Sequence, residues 1–249
     1  LMTGLLSTGC QSLPKITVSS QEDLTDLKIG VQSGTTGESL CLKEISSDTD
    51  NVKGYKSAMD AALALKNGTV DAVVIDELPA KSIVAQNSDL EIIDLGWAEE
   101  EYAIAVKKGN TELLNQINDT LKRIKEDGTF DALGEAFMPA DGEIQIPEDK
   151  ATEGEETIIM GTNASFPPFE YLEGTDIVGY DISISQEIAA DMGKKLEVKN
   201  MDFNALLGAL STGQVDFVAA GMTVEPERLE NADFSETYFN SKQVVIVRK

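Results

Sequence analysis

Ala64-Leu65-Lys66-Asn67-Gly68-Thr69-Val70-Asp71-Ala72-Val73-Val74 recurs, in the other half of the chain, as Ala209-Leu210-Ser211-Thr212-Gly213-Gln214-Val215-Asp216-Phe217-Val218-Ala219. The two stretches agree at Ala, Leu, Gly, Val, Asp and Val, and each spells the end of an apolar helix, a Gly cap and a buried strand. Their separation is far too long for a solenoid repeat, so the pattern points to two similarly built lobes with a cleft between them. A chance recurrence of a common helix-to-strand turn is the competing explanation.

Working outward, Leu27-Lys28-Ile29-Gly30-Val31 alternates like a short strand and runs into the loop Gln32-Ser33-Gly34-Thr35-Thr36-Gly37, after which a helix is expected. Residues 57–66 are rich in Ala and Leu and read as a helix leading into a strand from Val70 to Ile75. Residues 111–127 place Leu113, Leu114, Ile117, Leu121 and Ile124 on one helical face. Residues 139–156 have no hydrophobic period and are rich in Glu, Pro and Gly, which predicts a solvated, loose linker. Beyond it the spacing predicts a strand over 157–161, a helix over 182–192 and a strand over 196–198. Helix and strand alternate throughout, so the fold class is α/β.

The chain has 249 residues with 41% hydrophobic content, enough for a core in each of two lobes. Against 20 Lys and Arg stand 44 Asp and Glu, a formal charge of −24 that repels phosphate backbones; nucleic acid is not an expected partner. No histidine is present, which removes Ser-His-Asp and Cys-His catalysis and histidine-ligated zinc. Cys10 closes Leu5-Leu6-Ser7-Thr8-Gly9-Cys10, an apolar run ending on small residues as a secretory segment does before cleavage. That stretch resembles a bacterial lipobox, with Cys10 the lipidated residue and residues 1–14 a signal remnant; Ser7 stands where Leu is usual, and an incidental Cys in a frayed end is the alternative. Cys41 reads as a buried helix residue, and a disulfide between two cysteines in such unlike settings is not expected.

Several groups fall at strand ends, where an α/β fold places its ligands. The loop Ser33-Gly34-Thr35-Thr36-Gly37 aims backbone N–H groups at an anion, although no Gly-Lys-Ser/Thr makes it a nucleotide loop. Thr223 and Arg228, flanking Pro226, can hold one carboxylate, Arg228 by a two-pronged pair. Asp76 ends a strand and suits an ammonium group. Phe166 and Phe203 can wall an apolar slot, or simply belong to the core. A carboxylate grip, an acid and two aromatics together are what recognition of a free amino acid requires.

Gly161-Thr162-Asn163-Ala164-Ser165-Phe166-Pro167-Pro168-Phe169-Glu170-Tyr171, Val178-Gly179-Tyr180-Asp181-Ile182, Ala220-Gly221-Met222-Thr223-Val224-Glu225-Pro226-Glu227-Arg228 and Asp233-Phe234-Ser235 resemble the N-terminal lobe of polar amino-acid-binding proteins of ABC importers, solute-binding family 3. Ile29-Gly30-Val31-Gln32-Ser33-Gly34-Thr35-Thr36, Val70-Asp71-Ala72-Val73 with Asp76, and Asp127-Gly128-Thr129-Phe130 resemble that family's second lobe and C-terminal helix. The resemblance implies a two-lobed periplasmic-binding-protein-like fold, with a mixed sheet in each lobe and the ligand cleft between them. It implies that Arg228, Thr223 and the backbone N–H of Thr36 hold the ligand carboxylate. Asp76 and the Gly221 carbonyl would take the α-ammonium, Phe166 and Phe203 would flank the side chain, and Asn163, Ser165 and Gln32 would tune specificity. Asn163 departs from the Asp often found in glutamine and basic amino-acid binders, which weakens the case for a basic ligand but leaves a basic amino acid or glutamine open as the polar ligand. Importer membrane subunits are the implied partners, the location is extracytoplasmic, with membrane attachment only through a lipid at Cys10, and no cofactor or catalysis is expected.

In the family the lobe holding Phe166 and Arg228 comes first, whereas here it follows the acidic linker. The order implies circular permutation, with a fragment of a tandem protein as the alternative. On the permuted account residues 15–98 and 243–249 form the family's second lobe, and residues 104–237 the first. Two other functions stay open: an enzyme resembling cyclohexadienyl dehydratases on the same scaffold, with Glu170 or Asp76 as its acid, or the sensing domain of a receptor.

Overall fold

The computed structural model describes residues 13–141, 143–150 and 154–249. Cys10, and with it the lipidation expectation, lies outside the described residues.

The first half of the chain supplies β1 (Ile29–Gln32), α1 (Thr36–Leu40), β2 (Val52–Tyr55), α2 (Ala58–Lys66), β3 (Ala72–Asp76), α3 (Glu77–Ala85), β4 (Leu90–Ile93), β5 (Glu99–Tyr102), β6 (Ala105–Lys107), α4 (Thr111–Glu126) and α5 (Thr129–Phe137). The second half supplies β7 (Thr157–Thr162), β8 (Ser165–Phe166), β9 (Glu170–Glu173), β10 (Asp176–Val178), α6 (Tyr180–Asp191), β11 (Lys195–Asn200), α7 (Leu206–Ser211), β12 (Phe217–Val218), α8 (Pro226–Leu229), β13 (Ala232–Phe234) and β14 (Phe239–Arg248).

Two mixed sheets organise these elements into two lobes. One runs β2-β1-β3-β14-β4, with β1 parallel to its neighbours and β14 antiparallel between β3 and β4, in register Val245↔Val74 and Ile246↔Ile92. The other runs β11-β7-β12-β6-β13, and a small antiparallel sheet β10-β9-β8 adjoins it. A central strand is covered on both faces, and Val244-Val245-Ile246-Val247 is accordingly an unbroken apolar run, fully buried. The strand's first half, Phe239–Lys242, pairs instead with β5, so this two-stranded ribbon connects the lobes.

The repeated sequence has one structural explanation in both lobes. α2 and α7 end in the same way: the N–H groups of Thr69 and Gln214 each reach back 2.9 Å to the carbonyls of Ala64 and Ala209, around Gly68 and Gly213 in the left-handed region. The shared Asp then ties the next strand to its neighbour. Asp71 accepts the N–H of Lys28 on its carboxylate at 3.1 Å and gives its own N–H to the Lys28 carbonyl at 2.7 Å. Asp216 does the same with Ile159, at 2.7 and 2.8 Å.

α4 lies along α6, held by Arg123, which reaches Glu187 at 2.6 Å, Asp191 at 2.8 Å and Asp127 at 2.9 Å. The acidic segment is less loose than its composition predicts. Gln145 N–H bonds the Ala136 carbonyl at 2.9 Å, and Lys150 reaches Glu187 at 2.5 Å while Asp149 accepts a hydrogen bond from Gln186 Nε2 at 3.0 Å, so these parts of it run along α5 and α6. Lys150 facing an acidic helix surface is one of several contacts that tether the segment. Elsewhere α6 begins two residues before the expected position, at Tyr180, and Cys41 is buried at the start of a π turn continuing α1.

Candidate functional site

A nearly closed cleft lies where the lobes meet; the space in it open to a water-sized molecule is about 10 Å³, close to one water. Gln32, Thr36, Asp76, Asn163, Phe166, Phe203, Gly221, Thr223 and Arg228 all line it, joined by Thr35, Glu170 and Ala220. Of the residues expected from sequence only Ser165 is absent from the lining; its hydroxyl donates to Asn163 Oδ1 at 2.7 Å, so it acts on the wall through Asn163.

β1 and β3 deliver one wall. The chain leaves β1 at Gln32, turns at Gly34 and enters α1 through Thr35, whose hydroxyl accepts the Glu38 N–H as an N-cap. Gly34 has φ +84°, and a Cβ there would sit 2.8 Å from the Asn204 Cβ of the opposite lobe. Only glycine permits both the turn and that approach. Thr36 therefore faces across the cleft from the first turn of α1. Asp76 stands at the end of β3, buried, and accepts hydrogen bonds from the hydroxyl of Tyr102, from Ser241 at 3.0 Å and from Gln243 Nε2 at 3.0 Å. Burial, followed by the charge of Glu100, pushes its carboxyl up to about 6 despite those three donors.

Arg228, in α8, dominates the other wall. It is 8% exposed, lies 5.5 Å above the Phe203 ring, and donates to the Thr223 carbonyl at 2.7 Å and to the Gly34 carbonyl of the opposite lobe at 3.0 Å. Its Nε pairs with Glu225 at 3.3 Å. Burial pulls its pKa down, countered by Glu225, Glu100 and Asp76. A guanidinium has five N–H donors, so these contacts aim the group and leave donors for an incoming anion. Phe166 and Phe203 belong both to the core and to the cleft: each is buried in an apolar cluster and each presents a face to the cavity.

Gly221, at φ +51°, packs so closely that a Cβ would meet the Phe166 ring at 2.8 Å. Its N–H donates to Asp181 Oδ2 at 2.8 Å, an oxygen that also receives the Tyr238 hydroxyl at 2.7 Å. This fixes the Ala220–Gly221 peptide, next to the one that bears the Gly221 carbonyl. Behind it Glu170 is 1% exposed, and burial together with the neighbouring Asp181 carboxylate raises its pKa well above the ordinary value. Burial thus disfavours the ionised form of Glu170, whose carboxyl oxygens, like Asp181 Oδ1, have no hydrogen-bond partner of their own.

Contacts cross the cleft throughout. Gln32 Nε2 donates to Asn163 Oδ1 at 2.8 Å, so two expected specificity residues satisfy one another, and Asn163 Nδ2 is spent on the Met201 carbonyl at 2.7 Å. Sequence reasoning missed Glu100, Tyr102 and Ser241 of the connecting ribbon and Gln243 just beyond it, which surround Asp76. The available signal was the alternation of Glu100 with Tyr102, which puts that one glutamate of the run Glu99-Glu100-Glu101 on the buried face.

Among known proteins, the sequence model of the bacterial extracellular solute-binding proteins, family 3, matches residues 43–140 and 158–249. The arginine-binding extracellular protein ArtP of Bacillus subtilis is 44% identical over 96 residues, 39% of this chain and 38% of ArtP. The L-cystine-binding protein TcyJ of Escherichia coli K12 is 30% identical over 126 residues, 50% of this chain and 47% of TcyJ. The chain thus spans less than half the length of these curated relatives. The arginine-bound form of domain 1 from TmArgBP is 33% identical, with a TM-score of 0.34, over 37% of this chain and 80% of that one.

Proposed function

The chain belongs to the bacterial extracellular solute-binding proteins, family 3, and from that premise we propose that it captures a free polar L-amino acid in the cleft and delivers it to an ABC importer outside the cytoplasm. The observation that carries this reading is the pairing, within one small cavity, of a buried Arg228 with a buried Asp76. Arg228 and the Thr223 and Thr36 groups hold the ligand carboxylate, Asp76 and the Gly221 carbonyl hold its ammonium, and Phe166 and Phe203 flank its side chain. Gln32, Asn163 and, through Asn163, Ser165 set how far that side chain extends. Arginine, cystine and histidine are the ligands named for relatives, which supports a long or polar side chain. Calorimetry against the twenty common amino acids and cystine tests it: one or a few should bind at about micromolar or tighter, roughly 8 kcal/mol, and no heat with any of them would reject the reading.

The permuted order is part of this proposal. Residues 15–98 with 243–249 constitute the family's second lobe and 104–237 its first, and Cys10 is the point of lipid attachment. Mass spectrometry of the mature N-terminus tests the last.

Glu170 supports a second reading, because it lines the cleft and burial beside Asp181 raises its pKa, which favours a carboxyl that keeps a proton to donate. On that reading the protein is a dehydratase-like enzyme. Turnover of prephenate or arogenate by the purified protein, abolished in Glu170→Gln, is its test.

A further inference from the structure

One oxygen of Glu100 collects three hydrogen bonds from groups on different parts of the molecule. Glu100 Oε2 accepts from the Thr36 hydroxyl at 2.7 Å, from the Thr223 hydroxyl at 2.9 Å and from Gln243 Nε2 at 3.3 Å. Thr36 begins α1 in one lobe; Thr223 precedes α8 in the other, and both line the cleft. Glu100 itself sits on β5, one of the two connecting strands, with its backbone fixed opposite Ser241 and its neighbour Glu101 accepting the Val224 N–H at 3.0 Å.

The proton arithmetic is restrictive. A threonine hydroxyl has one proton to donate. While Thr36 and Thr223 give theirs to Glu100, their hydroxyls can offer an arriving carboxylate only lone pairs, which repel it, and Thr36 keeps only its backbone N–H for it. Gln243 is equally stretched: its two amide protons face Glu100, Thr36 Oγ1 and Asp76 Oδ2, at 3.3, 3.1 and 3.0 Å. Glu100 also adds a charge beside Asp76.

We propose that the Glu100 carboxylate is the protein's own occupant of the ligand-carboxylate seat, a clasp that joins Thr36 to Thr223 across the cleft and that an amino acid must displace. The clasp stabilises a closed, ligand-free state that competes with binding, so Glu100 sets affinity without being a ligand contact. A state that excludes ligand lowers apparent affinity by the fraction it occupies. The ligand half of this inference rests on the amino-acid-binding reading; the clasp itself does not.

The test compares Glu100→Ala, Glu100→Gln, Thr223→Val and Glu99→Ala with the wild type, by small-angle X-ray scattering without ligand and by calorimetry with the amino acid the wild type binds. Glu100→Ala should enlarge the ligand-free radius of gyration and bind more tightly, by about three- to tenfold. Glu100→Gln, which keeps a neutral acceptor and the side-chain shape, should lie between Ala and wild type in both. Thr223→Val should also enlarge the ligand-free form but bind at least about tenfold more weakly, because the hydroxyl serves clasp and ligand alike. Glu99 is exposed and makes the same charge change without touching either threonine, so Glu99→Ala should match the wild type. Overlaid ligand-free scattering for wild type and both Glu100 variants, or weaker binding in them, would overturn the clasp. If the wild type binds no amino acid, the binding reading fails while the scattering comparison still decides the clasp.

Discussion

Asp76 and Arg228 carry opposite charges into one cavity, and neither is at rest there. Asp76 is raised to about 6 by burial and by Glu100, whereas a bound ammonium would favour its ionised form. Ligand binding therefore releases a proton near pH 6, and affinity should fall as pH drops below 6, approaching about tenfold per unit, because the ligand's own α-groups titrate outside that window. Affinity unchanged between pH 7 and 5 would show that Asp76 does not take the ammonium. Stability should move the other way. Asp76 and Asp181, both near 6, and Glu170 above its ordinary range bind more protons folded than unfolded, so acidification from pH 7 toward 5 should raise the melting temperature of the ligand-free protein. Replacing either charge is harsher than titrating it: Arg228→Ala and Asp76→Ala should each cost about 2–5 kcal/mol of binding in calorimetry, since the partner charge on the ligand is left desolvated. Both residues were legible in sequence because each ends a strand or opens a helix beside a recognisable loop. Glu100 and Gln243 were not, because a run of three glutamates reads as a solvated face until the burial of Tyr102 fixes which of them turns inward.

At the level of elements, the recurring helix, glycine and strand was legible to the residue, yet the reason for its Asp was not. Sequence shows the identity of Asp71 and Asp216; only the neighbouring strand, distant in the chain, shows that each carboxylate replaces a missing ladder partner. The two are not energetically alike. Asp216 serves one N–H at an exposed site, whereas Asp71 also faces Arg248 at 3.4 Å, a guanidinium 8% exposed that donates to the carbonyls of Leu65 and Val70 at 2.7 and 2.8 Å. Removing Asp71 leaves that buried cation without its counter-charge. Urea unfolding should thus give a loss of about 1 kcal/mol for Asp216→Ala and about 2–3 kcal/mol for Asp71→Ala. Equal losses would mean that Arg248 is held by the carbonyls alone. The acidic segment marks the opposite limit of legibility: composition gives its solvation, but the anchoring of Lys150 on α6 depends on Glu187, which no local pattern links to it.

At the scale of the molecule, lobe closure and chain order are separable, because among the described residues the lobes are joined by the β5–β14 ribbon, the cleft contacts and exposed ion pairs such as Lys43–Glu227 and Lys56–Asp202. The apolar run at the end of the chain belongs between β3 and β4 whatever precedes it, and its far end lies beside the first described residues: Arg248 Nε donates to the Pro14 carbonyl at 3.4 Å. Two segments that close need only a short connection, and the entropic cost of a loop grows slowly with its length. If the order here is a permutation of the family's, it should therefore be reversible by rewiring alone. A chain opened within the acidic segment, beginning at residue 154, running to Lys249, joined by a few flexible residues to Leu13 and ending at residue 141, keeps every strand pairing of both sheets. It loses the tethers of residues 143–150 on α5 and α6, of which the Lys150 ion pair is partly exposed and worth at most about 1 kcal/mol. The rewired protein should fold with a melting temperature within several degrees of the original and bind the same amino acid within about threefold, since each cleft residue and both connecting strands are retained. A rewired chain that folds but no longer binds would mean that the original connection at the acidic segment positions the lobes, and permutation would cease to be the explanation of its order.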